Sequence, residues 1–168
     1  MPKSLRTQPN TAVTLSVFDR LVDNEPKSPT VEAPLTRAES VRVLRAAVRR
    51  DLEWLLNTRR NPEEPGPALP ETDNSLFSYG LPDFSTYAIA SPKDQTKLVR
   101  TLQTAVKVFE PRLTNVRITP VEINPQGLRT MRIRIEGLLM MDPAPEHISF
   151  DTTLQLTTGD FRVKDDVL

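Results

Sequence analysis

Between residues 40 and 56 apolar side chains return every third or fourth position, at Val41, Leu44, Val48, Leu52 and Leu55. That spacing marks one face of an α-helix, with Arg42, Arg45, Arg49 and Glu53 toward the other side. Thr36 followed three residues later by Glu39 is a capping-box pattern, which sets the helix start near Arg37. Asn57 and the Asn61-Pro62 pair mark its end. Trp54 falls beside the apolar stripe rather than at its centre, a position that suits an interface anchor. A second stripe runs through Leu98, Leu102, Ala105, Val106 and Phe109. Ser91 can cap this helix, Pro92 fits its first position, and Asp94 complements the positive end of its dipole. Pro111 stops it near Phe109-Glu110.

After residue 113 the period changes from about 3.6 to two. Val116 and Ile118 alternate, Pro120 interrupts, and Val121 and Ile123 resume with the opposite parity, which predicts an edge strand or a bulge. Asn124-Pro125-Gln126-Gly127 reads as a turn. Met131, Ile133 and Ile135 alternate with Arg132, Arg134 and Glu136, the pattern of a sheet with one wet face. Asp142-Pro143-Ala144-Pro145 reads as a loop. Ile148, Phe150, Leu154 and Leu156 alternate with His147, Ser149, Thr153 and Gln155. Gly159-Asp160 reads as a turn before a short tail, Phe161 to Leu168. The expected fold is therefore α+β. Two main helices pack on one face of a small, mainly antiparallel sheet of three to four strands, behind an N-terminal extension.

Residues 1–35 form that extension. Leu15, Val17, Phe18, Leu21 and Val22 suggest either a short helix at 15–22 that orders on docking or a frayed tail. Residues 36–168 form the domain, interrupted by a proline-rich, acidic loop at 59–75. Next comes Ser75-Leu76-Phe77-Ser78-Tyr79-Gly80-Leu81-Pro82-Asp83-Phe84, whose three aromatic residues suggest a loop packed on the core.

Composition removes several function classes. The chain of 168 residues carries 22 Lys+Arg against 22 Asp+Glu. This balance argues against bulk electrostatic binding of nucleic acid. It has no cysteine, so disulfides, thiol catalysis and the usual zinc sites drop out, in keeping with a reducing cytoplasm. No apolar run is long enough to span a bilayer, and Lys3 and Arg6 precede no secretory apolar core.

Catalytic chemistry finds little to work with. A glycosidase needs two carboxyls about 5–10 Å apart, one of them held protonated. Asp51 or Glu53 with Asp73 or Asp83 are the residues to weigh, yet Asp51 and Glu53 diverge on a helix. His147, Ser149 and Asp151 share a strand face, but such neighbours lie about 7 Å apart, beyond hydrogen-bond reach. The expectation is a protein that is no enzyme, with no metal and no cofactor. Phe109-Glu110-Pro111-Arg112-Leu113 offers something else. An acid and a base flank a helix-stopping proline, either as ordinary local charges or as a rigid knuckle presenting Glu110 and Arg112 to partners.

Four segments, in this order, resemble one family. They are Val17 through Glu25-Pro26, the helix to Asp51-Leu52-Glu53-Trp54-Leu55-Leu56-Asn57-Thr58-Arg59, Tyr79-Gly80-Leu81-Pro82-Asp83, and the Glu110-Pro111-Arg112 triplet. The chain is similar to TssE, the small baseplate subunit of type VI secretion systems. That subunit is related to the contractile phage-tail wedge protein once named a lysozyme. The resemblance implies a structural subunit with a sheath-handshake-like domain at 36–168. It would dock on the TssF/TssG wedge, meet TssK and the spike hub, and help start the TssB/TssC sheath. It also implies a cytoplasmic place at the inner-membrane-docked baseplate of a Gram-negative bacterium. Partner contacts would fall on Trp54, Arg59, Tyr79, Asp83, Glu110, Pro111 and Arg112. A sheet edge can accept a foreign strand, and the proline-free run at 146–157 is a candidate acceptor, with the choice of edge left open by the sequence.

Overall fold

The computed structural model describes residues 13, 15–22, 36–63, 70–88, 90–124 and 129–165. The Asp23–Pro26 part of the first motif, Pro65 and Pro67 of the long loop, and most of the turn at 124–127 lie outside them. The chain divides into two compact units, Met1–Ala47 and Val48–Leu168.

In the first unit, α1 spans Val17–Leu21, and the Ser16 hydroxyl accepts a hydrogen bond from the Asp19 amide at 3.1 Å. Val17, Phe18, Leu21 and Val22 are exposed. Helix α2, Arg37–Asn57, starts in this unit and continues into the second. Its start is the capping box read from the sequence. The Glu39 amide donates to Thr36 Oγ1 at 3.3 Å, and the Thr36 amide and hydroxyl donate to Glu39 Oε2 at 2.8 and 2.7 Å. Ser40 is fully buried; it accepts from the Val13 amide at 3.0 Å and donates to the Arg37 carbonyl at 2.8 Å.

In the second unit, the rest of α2 buries Val48, Leu52, Leu55 and Leu56. Helix α3, Pro92–Phe109, opens on Ser91 and Pro92 and buries Leu98, Leu102, Ala105 and Val106. Four strands follow: β1 Leu113–Asn124, β2 Thr130–Leu139, β3 Glu146–Gln155 and β4 Asp160–Asp165. They form one antiparallel sheet in the order β1-β2-β3-β4. The helices cover one face of it. Met131, Ile133 and Ile135 on β2, Ile148, Phe150 and Leu154 on β3, and Phe161 and Val163 on β4 are buried there. Fold class and layer arrangement are as the periodicities predict.

β1 is an edge strand, and its ladder slips between Thr114 and Arg117 and again between Pro120 and Glu122. Pro120 thus sits where a missing N–H is tolerated. Two sequence expectations need correction. The residues after Gly159 are not an irregular tail: Gly159, at φ +77°, turns the chain into β4. Two buried residues, Phe161 and Val163, are too short an alternation to announce a strand. Most of the run at 146–157 is not an edge, because β3 pairs with β2 along its length and with β4 from Phe150 to Gln155. Freedom from proline is a requirement of central strands too, so it could not single out an acceptor edge. The edges are β1 and β4. Part of β4 is already engaged: the Asn57 side chain, at the end of α2, accepts from the Phe161 amide at 2.8 Å and donates to the Phe161 carbonyl at 2.9 Å.

Candidate partner-docking site

The end of α2 and the loop before α3 meet through backbone. The Leu81 amide donates to the Thr58 carbonyl at 2.8 Å, and the Arg60 amide donates to the Leu81 carbonyl at 2.9 Å. Gly80 makes this approach possible. Its φ is +100°, and a Cβ there would lie 2.5 Å from the Thr58 oxygen, which no side chain tolerates. The bridge brings Arg59 to Asp83, Nη1 to Oδ1 at 2.8 Å. Asp83 also accepts from the Ser85 amide at 2.9 Å and the Ser85 hydroxyl at 3.0 Å. Those two bonds first, and then Arg59, hold its carboxyl below the usual range. The pair is exposed on both sides.

The same loop carries Tyr79, whose ring meets Phe109 edge-on with centroids 5.2 Å apart. Burial pushes the Tyr79 phenol up, and the negative charges of Asp51 and Glu110 add to the shift. At this same end of α3, Glu110 caps the helix, its amide donating to the Val106 carbonyl. Its carboxylate is only 4% exposed and takes both ends of the Arg112 fork, Nε to Oε1 and Nη2 to Oε2, each at 2.5 Å. Arg112 Nη2 also reaches Asp51 Oδ2 at 2.6 Å. Asp51 Oδ1 in turn takes Arg50, Nε at 2.9 Å and Nη2 at 2.8 Å. The Arg50 guanidinium lies 5.0 Å from the centroid of the Trp54 ring. Burial works against the Arg112 charge, but the bonds and charges of Glu110 and Asp51 outweigh it and hold the guanidinium protonated above its ordinary range.

The structure therefore joins Trp54, Tyr79, Glu110 and Arg112 into one cluster and leaves Arg59–Asp83 as a neighbouring, exposed pair. Pro111 is exposed and Trp54 is 53% exposed. Glu110 does not present its carboxylate to solvent; the knuckle turns it inward onto Arg112. Sequence reasoning passed over Arg50 and gave Asp51 only an acid's role, although the Arg50–Trp54 spacing of four residues already put that pair on one helix face.

The residues weighed for catalysis are placed otherwise. Asp51 and Asp83 each hold arginine, in separate constellations. On the wet face of the sheet, Asp151 binds Arg134, Nε to Oδ1 at 2.9 Å and Nη2 to Oδ2 at 3.2 Å. His147 stands opposite Leu138 and is exposed. Among the described residues no helix is long and apolar enough to cross a membrane.

One family model, described as baseplate wedge protein gp25, matches residues 42–144. That stretch is more than half of the chain, and it runs from α2 through β2 to the loop before β3. It contains every residue of the Trp54–Glu110 cluster. No curated protein matches the chain.

Proposed function

We propose, from the premise that the chain belongs to the baseplate wedge protein gp25 family, that it is a non-enzymatic subunit of a type VI secretion baseplate. Membership itself carries the coarser statement: a structural role in the baseplate of a contractile tail. The finer reading is that the chain docks on a TssF/TssG wedge in the cytoplasm, at a baseplate held to the inner membrane, near TssK and the spike hub. From there it helps start a TssB/TssC sheath.

One observation carries the docking proposal. Motif segments far apart in sequence, at 50–59, 79–83 and 109–113, close on each other through Arg112–Asp51 and Tyr79–Phe109. The half-exposed Trp54 lies at the margin with Arg50 stacked on it. Buried ion pairs hold the platform stiff, and an exposed tryptophan beside an arginine is the residue pair that anchors interfaces. A strand received from the sheath would add at β1, at β4, or at Glu146–Ser149 of β3, which pair with β2 alone among the described residues. β1 is broken by Pro120 and two register slips, which leaves β4 beyond Phe161 as the more regular acceptor.

The test is co-expression with TssF and TssG followed by size-exclusion chromatography. Wild type should elute with the wedge proteins, and Trp54→Ala should elute alone with an unchanged circular dichroism spectrum. Wild type that never joins the wedge defeats the reading. Co-elution of the Trp54→Ala variant removes Trp54 from the interface. A phage-tail wedge remains the second reading, and the genes flanking this one separate the two. Clearing of purified peptidoglycan by the isolated chain would instead make it a hydrolase.

A further inference from the structure

Five arginines of the second unit end on a carboxylate: Arg50 and Arg112 on Asp51, Arg59 on Asp83, Arg132 on Glu122, Arg134 on Asp151. Arg60 and Arg100 are among those that do not. Among the described residues, Arg60 makes one side-chain contact, Nη2 to the Ser78 hydroxyl at 3.5 Å, and Arg100 makes none. Both are exposed, and both line one cleft of about 310 Å³. One wall is the Arg60, Ser78 and Gly80 side, set by the backbone bridge that Gly80 permits; the other is α3, from Arg100 through Thr104 to Phe109. Among the described residues, no carboxylate lines it.

We propose that this cleft receives an acidic segment of a partner protein, its carboxylates on Arg60 and Arg100 and a neighbouring apolar side chain on the cleft floor. Three features point to that occupant. Two unpaired guanidiniums offer forked donors matched to carboxylates. The Ser78 and Thr101 hydroxyls already donate inward, to Thr72 and Lys97 carbonyls, so the arginines supply the charge-assisted donors. The floor is apolar, with Ala105 buried and Val108 and Phe109 half-buried; a bare phosphate has no use for such a floor, whereas a peptide side chain does. The proposal stands without the wedge reading.

The experiment uses the isolated full chain, isotope-labelled, and a blocked synthetic peptide of about ten residues in which glutamates flank one leucine. Chemical-shift changes should gather at Ser78, Gly80 and Arg100 through Phe109 and at the side-chain N–H groups of Arg60 and Arg100. Affinity should fall about tenfold or more in Arg60→Gln/Arg100→Gln, fall by a smaller factor in Arg60→Lys/Arg100→Lys, which keeps the charge and loses the fork, and weaken as salt rises. Both arginines are exposed, so the variants should keep the wild-type spectrum. Equal affinity in the Gln variant, equal binding of a peptide with glutamine for glutamate, or shifts centred elsewhere would overturn the proposal. So would inorganic phosphate that binds the cleft more tightly than the peptide. None of these outcomes depends on a wedge protein being present, so failure here and failure of the docking reading remain distinct.

Discussion

Two arginine–carboxylate systems in the same unit use the same chemistry and do different things. On the wet face of the sheet, Arg132 meets Glu122 at 3.1 Å and Arg134 meets Asp151 at 2.9 Å, cross-strand pairs in the expected register. Arg132 and Glu122 are 51% and 60% exposed. At the end of α3, Glu110 is almost wholly enclosed and Arg112 is threaded between it and Asp51. Water competes for the Arg132–Glu122 bond and reaches Arg134, which is 38% exposed, so each pair adds little. In the second, Arg112 and Asp51 are 25% and 27% exposed but Glu110 only 4%, so losing Arg112 leaves a buried charge with nothing to answer it. The difference is one of solvent access rather than residue type. It assigns the triplet at 110–112 a framework role beneath any docking surface, with Trp54, Pro111 and the outer side of Arg112 left to face a partner.

The sharpest test of this contrast is Arg112→Ala. It should destabilise the protein by about 3–5 kcal/mol in chemical denaturation, because Glu110 stays buried without its cation. A loss under about 1 kcal/mol, the range of an exposed pair, would erase the distinction between the two systems. Next in size is Gly80→Ala, which alters no charge but removes the close approach that carries Tyr79 toward Asp51 and Glu110. The positive φ and the contact with the Thr58 oxygen should cost about 2–3 kcal/mol. A neutral result would mean that the loop moves without disturbing the cluster.

The smallest effect belongs to the sheet. Arg134→Ala should cost less than about 1 kcal/mol. The companion prediction concerns pH. The Arg134 hydrogen bond first, against the opposing effect of burial, and then the charges of Arg134 and Arg132 hold the Asp151 carboxyl below its ordinary value. A folded-state pKa below the unfolded one means that the stabilisation is present above about pH 4 and is lost as pH falls through the folded value. Asp151→Asn should therefore show a small deficit at neutral pH that disappears near about pH 2, measured by thermal unfolding across that window. A deficit that grows in acid would contradict the assignment.

Much of the fold could be read along the chain. The bounds of α2 and α3 follow from Thr36, Glu39, Ser91, Pro92 and Pro111, because caps and prolines act on the backbone within a turn of themselves. Pro120 announced the irregular edge of β1 for the same local reason. β4 escaped notice because Phe161 and Val163 are too brief a pattern, and Thr152, buried on the core face of β3, hid one position of that strand's alternation. The site was legible only as pieces. Trp54, Tyr79 and the 110–112 triplet could each be singled out, but nothing local says that Asp51 lies against Arg112, 61 residues later.

What the order of residues determined by itself was therefore each helix and strand that short-range sterics and capping specify, and the apolar face each would turn inward. Which strands became edges, which carboxylates lost their water, and that Arg60 and Arg100 came to share one cleft were decided only when distant segments packed. Pairing and desolvation depend on neighbours in space, and the chain names those neighbours nowhere along its length.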